Sequence, residues 1–241
     1  MKKRDWKDYW DRQVNGLHHS QTEAFLKSEA EEKLFHLAQC GNLLDFGCGS
    51  ADLLAYYAPF YTFCVGADGS KLMLEKARER LNAFEVQNKV LFLNTDNVHV
   101  WERIENELGK DFKFDCITAG QVIQYLDKTQ TEDFVSNSVR HLTDGGKICL
   151  FDIVDSRTHE LWKAGLFRSN SFRVSVMMRL FYGRLRAILN RLRGKPSCDL
   201  GYAYPPVFFT NLARKYNLEM DYANSMYYDY RYHILLCKTG K

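Results

Sequence analysis

Between residues 41 and 153, short apolar runs alternate with longer amphipathic stretches. Five runs have strand length: Asn42–Phe46, Tyr61–Ala67, Val90–Leu93, Phe114–Ala119 and Lys147–Ile153. Between them lie Ala51–Ala58, Ser70–Phe84, Val100–Leu108 and Thr131–Leu142, which have helix length. The short runs are mostly apolar rather than alternating, the pattern of strands covered on both faces. Strand–helix alternation of this kind predicts right-handed βαβ units around a parallel sheet. Ser70 is placed to cap its helix, and Asp144-Gly145-Gly146 signals a turn before the fifth strand.

The flanks break the alternation. Residues 1–40 read as helical, with Trp6, Tyr9 and Trp10 on one face at i, i+3, i+4 spacing. Val174–Leu192 reads as an amphipathic basic helix. Its apolar side is Met177, Leu180, Phe181, Leu185, Ile188, Leu189 and Leu192. Gly183 sits inside it, at a cost of about 1 kcal/mol for an interior glycine. Tyr204-Pro205-Pro206 marks a turn, Val207–Tyr216 reads as a helix, and Leu218–Asn224 and Tyr230–Lys238 as two last strands. The chain is expected to form one domain over 1–241, with 1–40 as a helical cap and 156–204 as a basic helical insertion.

Composition adds little until it is divided by position. Of the 241 residues, 46% are hydrophobic and 26% charged, which excludes disorder, collagen and coiled coil. No apolar run approaches the ~20 residues that span a bilayer. The start, Met1-Lys-Lys-Arg-Asp-Trp, has no apolar core of a signal peptide. The seven cysteines are scattered without a CxxC pair, as in a reduced cytosolic protein, and no metal site is expected. The net charge of +3 conceals a split. Residues 156–196 carry ten Lys and Arg against one acid, Glu160, leaving 23 basic and 29 acidic residues elsewhere. A segment of +9 therefore interrupts a body of −6.

The most informative stretch is Asn42-Leu-Leu-Asp45-Phe-Gly47-Cys48-Gly49-Ser-Ala-Asp52, which joins the first strand to the first helix. Two glycines let the backbone approach a ligand where a Cβ would collide. A pyrophosphate loop would read G-x-G-x-x-G. Here Asp52 holds the third glycine position and Asp45 precedes the pair. Negative charge at those points suits a cation, such as a sulfonium cofactor bearing an amino group. The second strand ends in Asp68, about 20 residues on, where a carboxylate accepts ribose hydroxyls. The third ends in Asp96-Asn97, an acid and an amide able to meet the amino edge of an adenine. The fourth ends in Gly120-Gln121, at the sheet edge where open α/β folds bind ligands. Each of these also has a bland reading as a turn or cap, and Cys48 reads as a small filler between the glycines.

With these motifs in order, the chain resembles the class I S-adenosylmethionine-dependent methyltransferases of small-molecule type. The resemblance is carried by LLDFGCGSADLL (43–54), FCVGADGSKLML (63–74), LFLNTDN (91–97), FDCITAGQVIQYL (114–126) and GGKICLFDI (145–153). It implies a Rossmann-like three-layer α/β sandwich with a mostly parallel seven-stranded sheet, order 3-2-1-4-5-7-6, the last strand antiparallel. It also implies S-adenosylmethionine as cofactor and S-adenosylhomocysteine as product. By the same resemblance Gly47 and Gly49 lie against the cofactor and Asp45 serves its methionine amino end. Asp68 holds the ribose, Asp96 and Asn97 face the adenine, and Gly120 and Gln121 line the pocket beside the methyl.

The acceptor is narrowed by absences. The position after strand four reads Gly120-Gln121-Val122-Ile123, not the Asn/Asp-Pro-Pro-aromatic motif of amino-methylating nucleic-acid enzymes. No proline precedes a cysteine, and no double-Glu loop of the arginine-methylating type is present. A small-molecule, glycan or lipid-linked acceptor is therefore expected, and a nucleic acid is disfavoured. Candidates for a general base are Tyr9, His18, His19, Tyr125, Asp152 and Tyr204. Residues 156–196 read as a dock for an anionic acceptor or a membrane surface, or as a solvated helix whose apolar side packs on the body. The expected location is cytoplasmic, with peripheral contact at a membrane as the corollary of the basic segment. The readings from other classes are a catalytically silent cofactor-binding domain and a nicotinamide-dependent oxidoreductase; Asp52 counts against the latter.

Overall fold

The computed structural model describes residues 21–38, 40–164, 174–193 and 200–239. Tyr9, Trp6, Trp10, His18 and His19 lie outside the described residues. Helix α1 (Glu23–His36) precedes β1 (Asn42–Phe46), and the alternation runs on through α2 (Leu54–Tyr57), β2 (Phe63–Asp68), α3 (Lys71–Ala83), β3 (Val90–Asn94), α4 (Val100–Leu108) and β4 (Phe114–Gly120). Then come α5 (Lys128–His141), β5 (Leu142–Val154), α6 (Ser156–Lys163), α7 (Val174–Leu192), α8 (Pro206–Tyr216), β6 (Leu218–Asn224) and β7 (Arg231–Lys238).

The seven strands form one sheet in the order β3-β2-β1-β4-β5-β7-β6. Strands β1 to β5 pair in parallel, and β7 runs antiparallel to both β5 and β6. The continuous apolar runs follow from this placement. Successive residues of a strand point to opposite faces. Leu44, Val65, Ile117, Leu150 and Ile234 join a core with Val100, Trp101, Phe134 and Phe209 of α4, α5 and α8. Their neighbours Leu43, Cys64, Cys116, Phe151 and Leu235 join a second core with Ala30, Leu34, Leu74 and Ala77 of α1 and α3. Both faces are covered, so neither set of positions is polar. Cys64, Cys116 and Cys149 are small apolar members of the second core, as free thiols.

Local chemistry sets the element ends. Ser70 Oγ accepts the Met73 amide at 3.4 Å, as its position predicted. Asp127 and Gln130 form a reciprocal capping box at the start of α5. Two expectations shift. The helix placed at Ala51–Ala58 begins only at Leu54, because Ala51 holds φ +59°, a left-handed conformation no helix contains. The turn at Asp144-Gly145-Gly146 lies inside β5 rather than before it. Phe114 pairs with Leu142 and Cys116 with Lys147, so residues 143–146 loop out of register, with Gly145 at φ +78°.

Helix α7 matches its expected range, but its apolar side does not pack on the body. Met177, Phe181, Leu185, Ile188, Leu189 and Leu192 are all exposed, and of the expected residues only Leu180 is half-buried. Gly183 is where α7 meets α6: a Cβ there would lie 2.2 Å from Glu160 Oε2, which explains a glycine inside the helix.

Candidate active site at the carboxyl edge of the sheet

The loop after β1 turns through three left-handed residues, Gly47 at φ +77°, Gly49 at +54° and Ala51 at +59°. A Cβ at Gly47 would lie 2.2 Å from Val122 Cγ2, so both its torsion and its surroundings call for glycine. The loop is pinned to β2: the amides of Gly47 and Cys48 donate to Ala67 O at 2.7 and 3.2 Å. Asp68, the last residue of β2, then reaches across. Its Oδ2 accepts the Gly49 amide at 3.0 Å and its Oδ1 the Ser70 amide at 2.8 Å. These two bonds fix the orientation of the Asp68 carboxylate against the loop. Beside it, a Cβ on Gly49 or Gly120 would meet nothing within 4 Å. The glycine loop, Asp68 and Gly120 thus border open space at the carboxyl ends of β1, β2 and β4.

Asp45 is 8% exposed, one residue before the end of β1. Its Oδ1 accepts the Thr118 hydroxyl at 2.9 Å. Burial pushes the carboxyl up to about 6 and the charge of Asp68 adds to this, against the Thr118 hydrogen bond. A buried acid in this state suits a ligand that brings a positive charge. The sign of its pH effect follows. A carboxyl whose folded pKa exceeds its unfolded 3.8 favours the fold at low pH, and that contribution is lost as pH rises through about 6. Asp45→Asn is therefore expected to raise stability by about 2 kcal/mol above pH 7 and to flatten the dependence between pH 4 and 6. Urea melts across that range check it.

The other sequence candidates are placed as follows. Gln121 sits at φ +57°, buried, its amide donating to Phe151 O at 3.0 Å. Asp96 Oδ1 accepts the amides of Val98 and His99 at 3.0 Å and lies 2.8 Å from His99 Nδ1. Burial acts against its charge, but the His99 amide, its ring and the Val98 amide outweigh it and hold the carboxyl below the usual value. Asp96 thus closes the turn into α4, with Asn97 half-buried beside it. Asp52 accepts from Ser50 Oγ at 2.8 Å and pairs with Arg80 at 3.5 Å.

Residues 44–148 match the sequence model of the methyltransferase domain. That stretch is under half of the chain, and the sheet around it has the strand order expected for the class I methyltransferase fold. No curated protein matches the chain in sequence. Solved structures match it in fold at low identity. One is the N-methyltransferase NodS from Bradyrhizobium japonicum in complex with S-adenosyl-L-homocysteine: 14% identity, TM-score 0.60, covering 96% of this chain and 97% of that one. Another is magnesium protoporphyrin IX methyltransferase from Synechocystis with bound S-adenosylhomocysteine: 12% identity, TM-score 0.57, covering 97% and 92%. An O-methyltransferase family protein from Burkholderia thailandensis has 12% identity and TM-score 0.60; 98% of this chain is covered, spanning only 59% of that protein's length.

A buried polar cluster on the same edge of the sheet was not read from the sequence. Lys33 Nζ of α1 lies 2.7 Å from Glu29 Oε1, 3.1 Å from Asp152 Oδ2 and 3.6 Å from Glu32 Oε2, with the side chain almost wholly buried. Burial works against the ammonium, but Asp152, Glu29 and Glu32 overcome it and hold its pKa above the usual lysine value. Asp152 sits at φ +56° in the irregularity between Leu150 and Ile153 of β5. Its amide donates to His233 Nδ1 at 3.0 Å, which leaves the ring proton on Nε2, 3.0 Å from Glu32 Oε1. Ser225 Oγ donates to Asp152 Oδ1 at 2.8 Å. Asp152, a candidate base, is thus committed to internal partners. Tyr204 is too: it is buried and its hydroxyl donates to Leu126 O at 2.5 Å. Tyr125 stands half-buried on the turn after β4. The β6–β7 connection adds Tyr228, bonded to Gln121 and pushed up to about 12 by burial and the charges of Glu29 and Asp152. The runs of tyrosine at 227, 228 and 230 were the visible signal for this loop.

Proposed function

We propose that this chain is an S-adenosylmethionine-dependent methyltransferase acting on a small-molecule, glycan or lipid-linked acceptor. The observation that carries the reading is Asp68, held by the Gly49 and Ser70 amides beside an open two-glycine loop. When bound, S-adenosylmethionine supplies an electrophilic sulfonium methyl and leaves as S-adenosylhomocysteine. The residues present fit it. Asp68 offers acceptors to ribose hydroxyls, Asp45 a buried negative charge to the methionine ammonium, and Gly49 and Gly120 the space for close approach. Asp96 and Asn97 stand at the end of β3, toward the adenine side, and Gln121 at the end of β4, beside the methyl. The chain's own work is positional: it orients the two reactants and excludes water, the main protein contribution to a methyl transfer. Tyr125, His18 and Tyr9 are the residues proposed to take a proton from the acceptor.

Calorimetry of the purified full chain with S-adenosylhomocysteine tests this. Saturable one-to-one binding with no binding of NAD or NADP is expected. Absence of S-adenosylhomocysteine binding, or preference for a nicotinamide dinucleotide, overturns it. Transfer of labelled methyl into a panel of glycans, lipids and small phenols identifies the acceptor, and binding without any turnover favours the silent domain.

A further inference from the structure

Eight of the fourteen large apolar residues that stand exposed among the described residues sit on one helix, α7: Met177, Met178, Phe181, Tyr182, Leu185, Ile188, Leu189 and Leu192. At about 100° per residue they fall in one uninterrupted arc of about 140°. Phe181 and Leu192 are 66% and 79% exposed, so this arc faces water. Gly183 lies on the opposite side, and that side is against Glu160 of α6. Arg186 and Arg193 border the arc on one flank and Arg184 on the other, all exposed. No acid occurs from 174 to 193.

We infer that α7 is an interfacial helix that docks the protein on an anionic lipid bilayer. The apolar arc enters the boundary between headgroups and acyl chains, and the flanking arginines meet lipid phosphates and carboxylates with their stems along the apolar face. The helix does not cross the membrane: no described helix is long and apolar enough to do so. Charge selects this occupant over a second copy of the chain. Two α7 helices packed arc to arc would bring arginines together along both seams, whereas anionic headgroups neutralise them. A nucleic acid would satisfy the arginines but leave the arc in water.

The anchor is firm. Asp155 caps α6 directly after β5, its carboxylate accepting from the Arg157 amide and side chain. His159 and Trp162 of α6 lie with their rings 5.0 and 4.9 Å from Tyr230 of the β6–β7 connection. That connection also carries Tyr228, beside Gln121. Docking through α7 therefore holds the β6–β7 connection, and with it this end of the sheet, near the lipid surface. If the proposed methyl transfer holds, its acceptor is drawn from that surface.

Vesicle flotation of the full chain tests the docking without reference to catalysis. The protein is expected to float with phosphatidylcholine vesicles containing phosphatidylserine and to partition about tenfold less onto pure phosphatidylcholine. F181E/L185E is expected to remain with the soluble fraction, and R184E/R193E to lose the preference for anionic vesicles. Both variants should keep the circular dichroism and the S-adenosylhomocysteine affinity of the parent, which separates this result from the fate of the functional reading. Flotation with neither vesicle, or equally with both, overturns the inference. So does a dimer in light scattering that F181E/L185E dissolves while vesicle binding stays as it was.

Discussion

Replacing Lys33 by alanine is expected to destabilise the fold by about 3–5 kcal/mol, the range for removing one partner from a buried ionic cluster. Lys33 is the cation that Glu29, Glu32 and Asp152 share, at 2.7, 3.6 and 3.1 Å. Without it, buried carboxylates repel one another in a site of low dielectric. The sign with pH identifies the mechanism. In the parent, a lysine pKa raised above 10.5 means that its contribution is complete at neutral pH and lost only in strong alkali. In Lys33→Ala the orphaned acids shift upward, so the variant should regain stability as pH falls from 8 to 5.5. Urea melts at the two pH values measure this. A loss below about 1 kcal/mol at pH 8, or one that does not shrink on acidification, would show that the cluster is not held together by Lys33. Because α1 reaches β5 and β7 through these contacts, and the amide of Met226 through Glu32 Oε1 at 2.9 Å, faster hydrogen exchange in α1 is expected as well.

Asp68→Ala is expected to weaken S-adenosylhomocysteine binding by about 100-fold or more. Two hydrogen bonds to a charged acceptor, worth about 1.5–3 kcal/mol each, account for that factor. The same substitution frees the Gly49 and Ser70 amides, which loosens the glycine loop where it meets the end of β2. Asp68→Asn separates the two effects. It keeps one oxygen for a backbone amide but places a donor where the other stood, so it should preserve the melting temperature better than alanine while still losing most of the affinity. Calorimetry and thermal melts of the three proteins decide. An Asp68→Ala affinity within threefold of the parent would remove Asp68 from the ribose role.

These residues differ in how visible they were beforehand. Asp45, Gly47, Gly49 and Asp68 lie within 24 positions of one another, in a loop and at two strand ends. Local rules reach that far: glycine torsions, strand ends and the spacing of one βαβ unit. Asp52 carried the same local signal, yet its charge is met by Arg80, a helix away. Asp96 likewise reads as an acid at a strand end, and the structure shows it holding the first turn before α4. Tyr228 was signalled only by a run of tyrosines, and the Lys33 cluster carried no motif at all. Lys33, Asp152 and His233 meet only because α1, β5 and β7 converge on one edge.

The sequence by itself determined the central sheet, because strands buried on both faces are apolar at nearly every position, and a run of such positions has few other uses. It determined the glycine loop, because only residues without a Cβ tolerate Gly47's torsion beside Val122. Tertiary structure alone decided which charges are met inside the protein and which border the open space by the glycine loop. It alone decided that the apolar arc of α7 turns outward, since a helix pattern states that one side avoids water but not what covers it. The reason is common to both: local pattern is a property of one element, whereas pairing and burial are properties of two elements brought together by the chain's path.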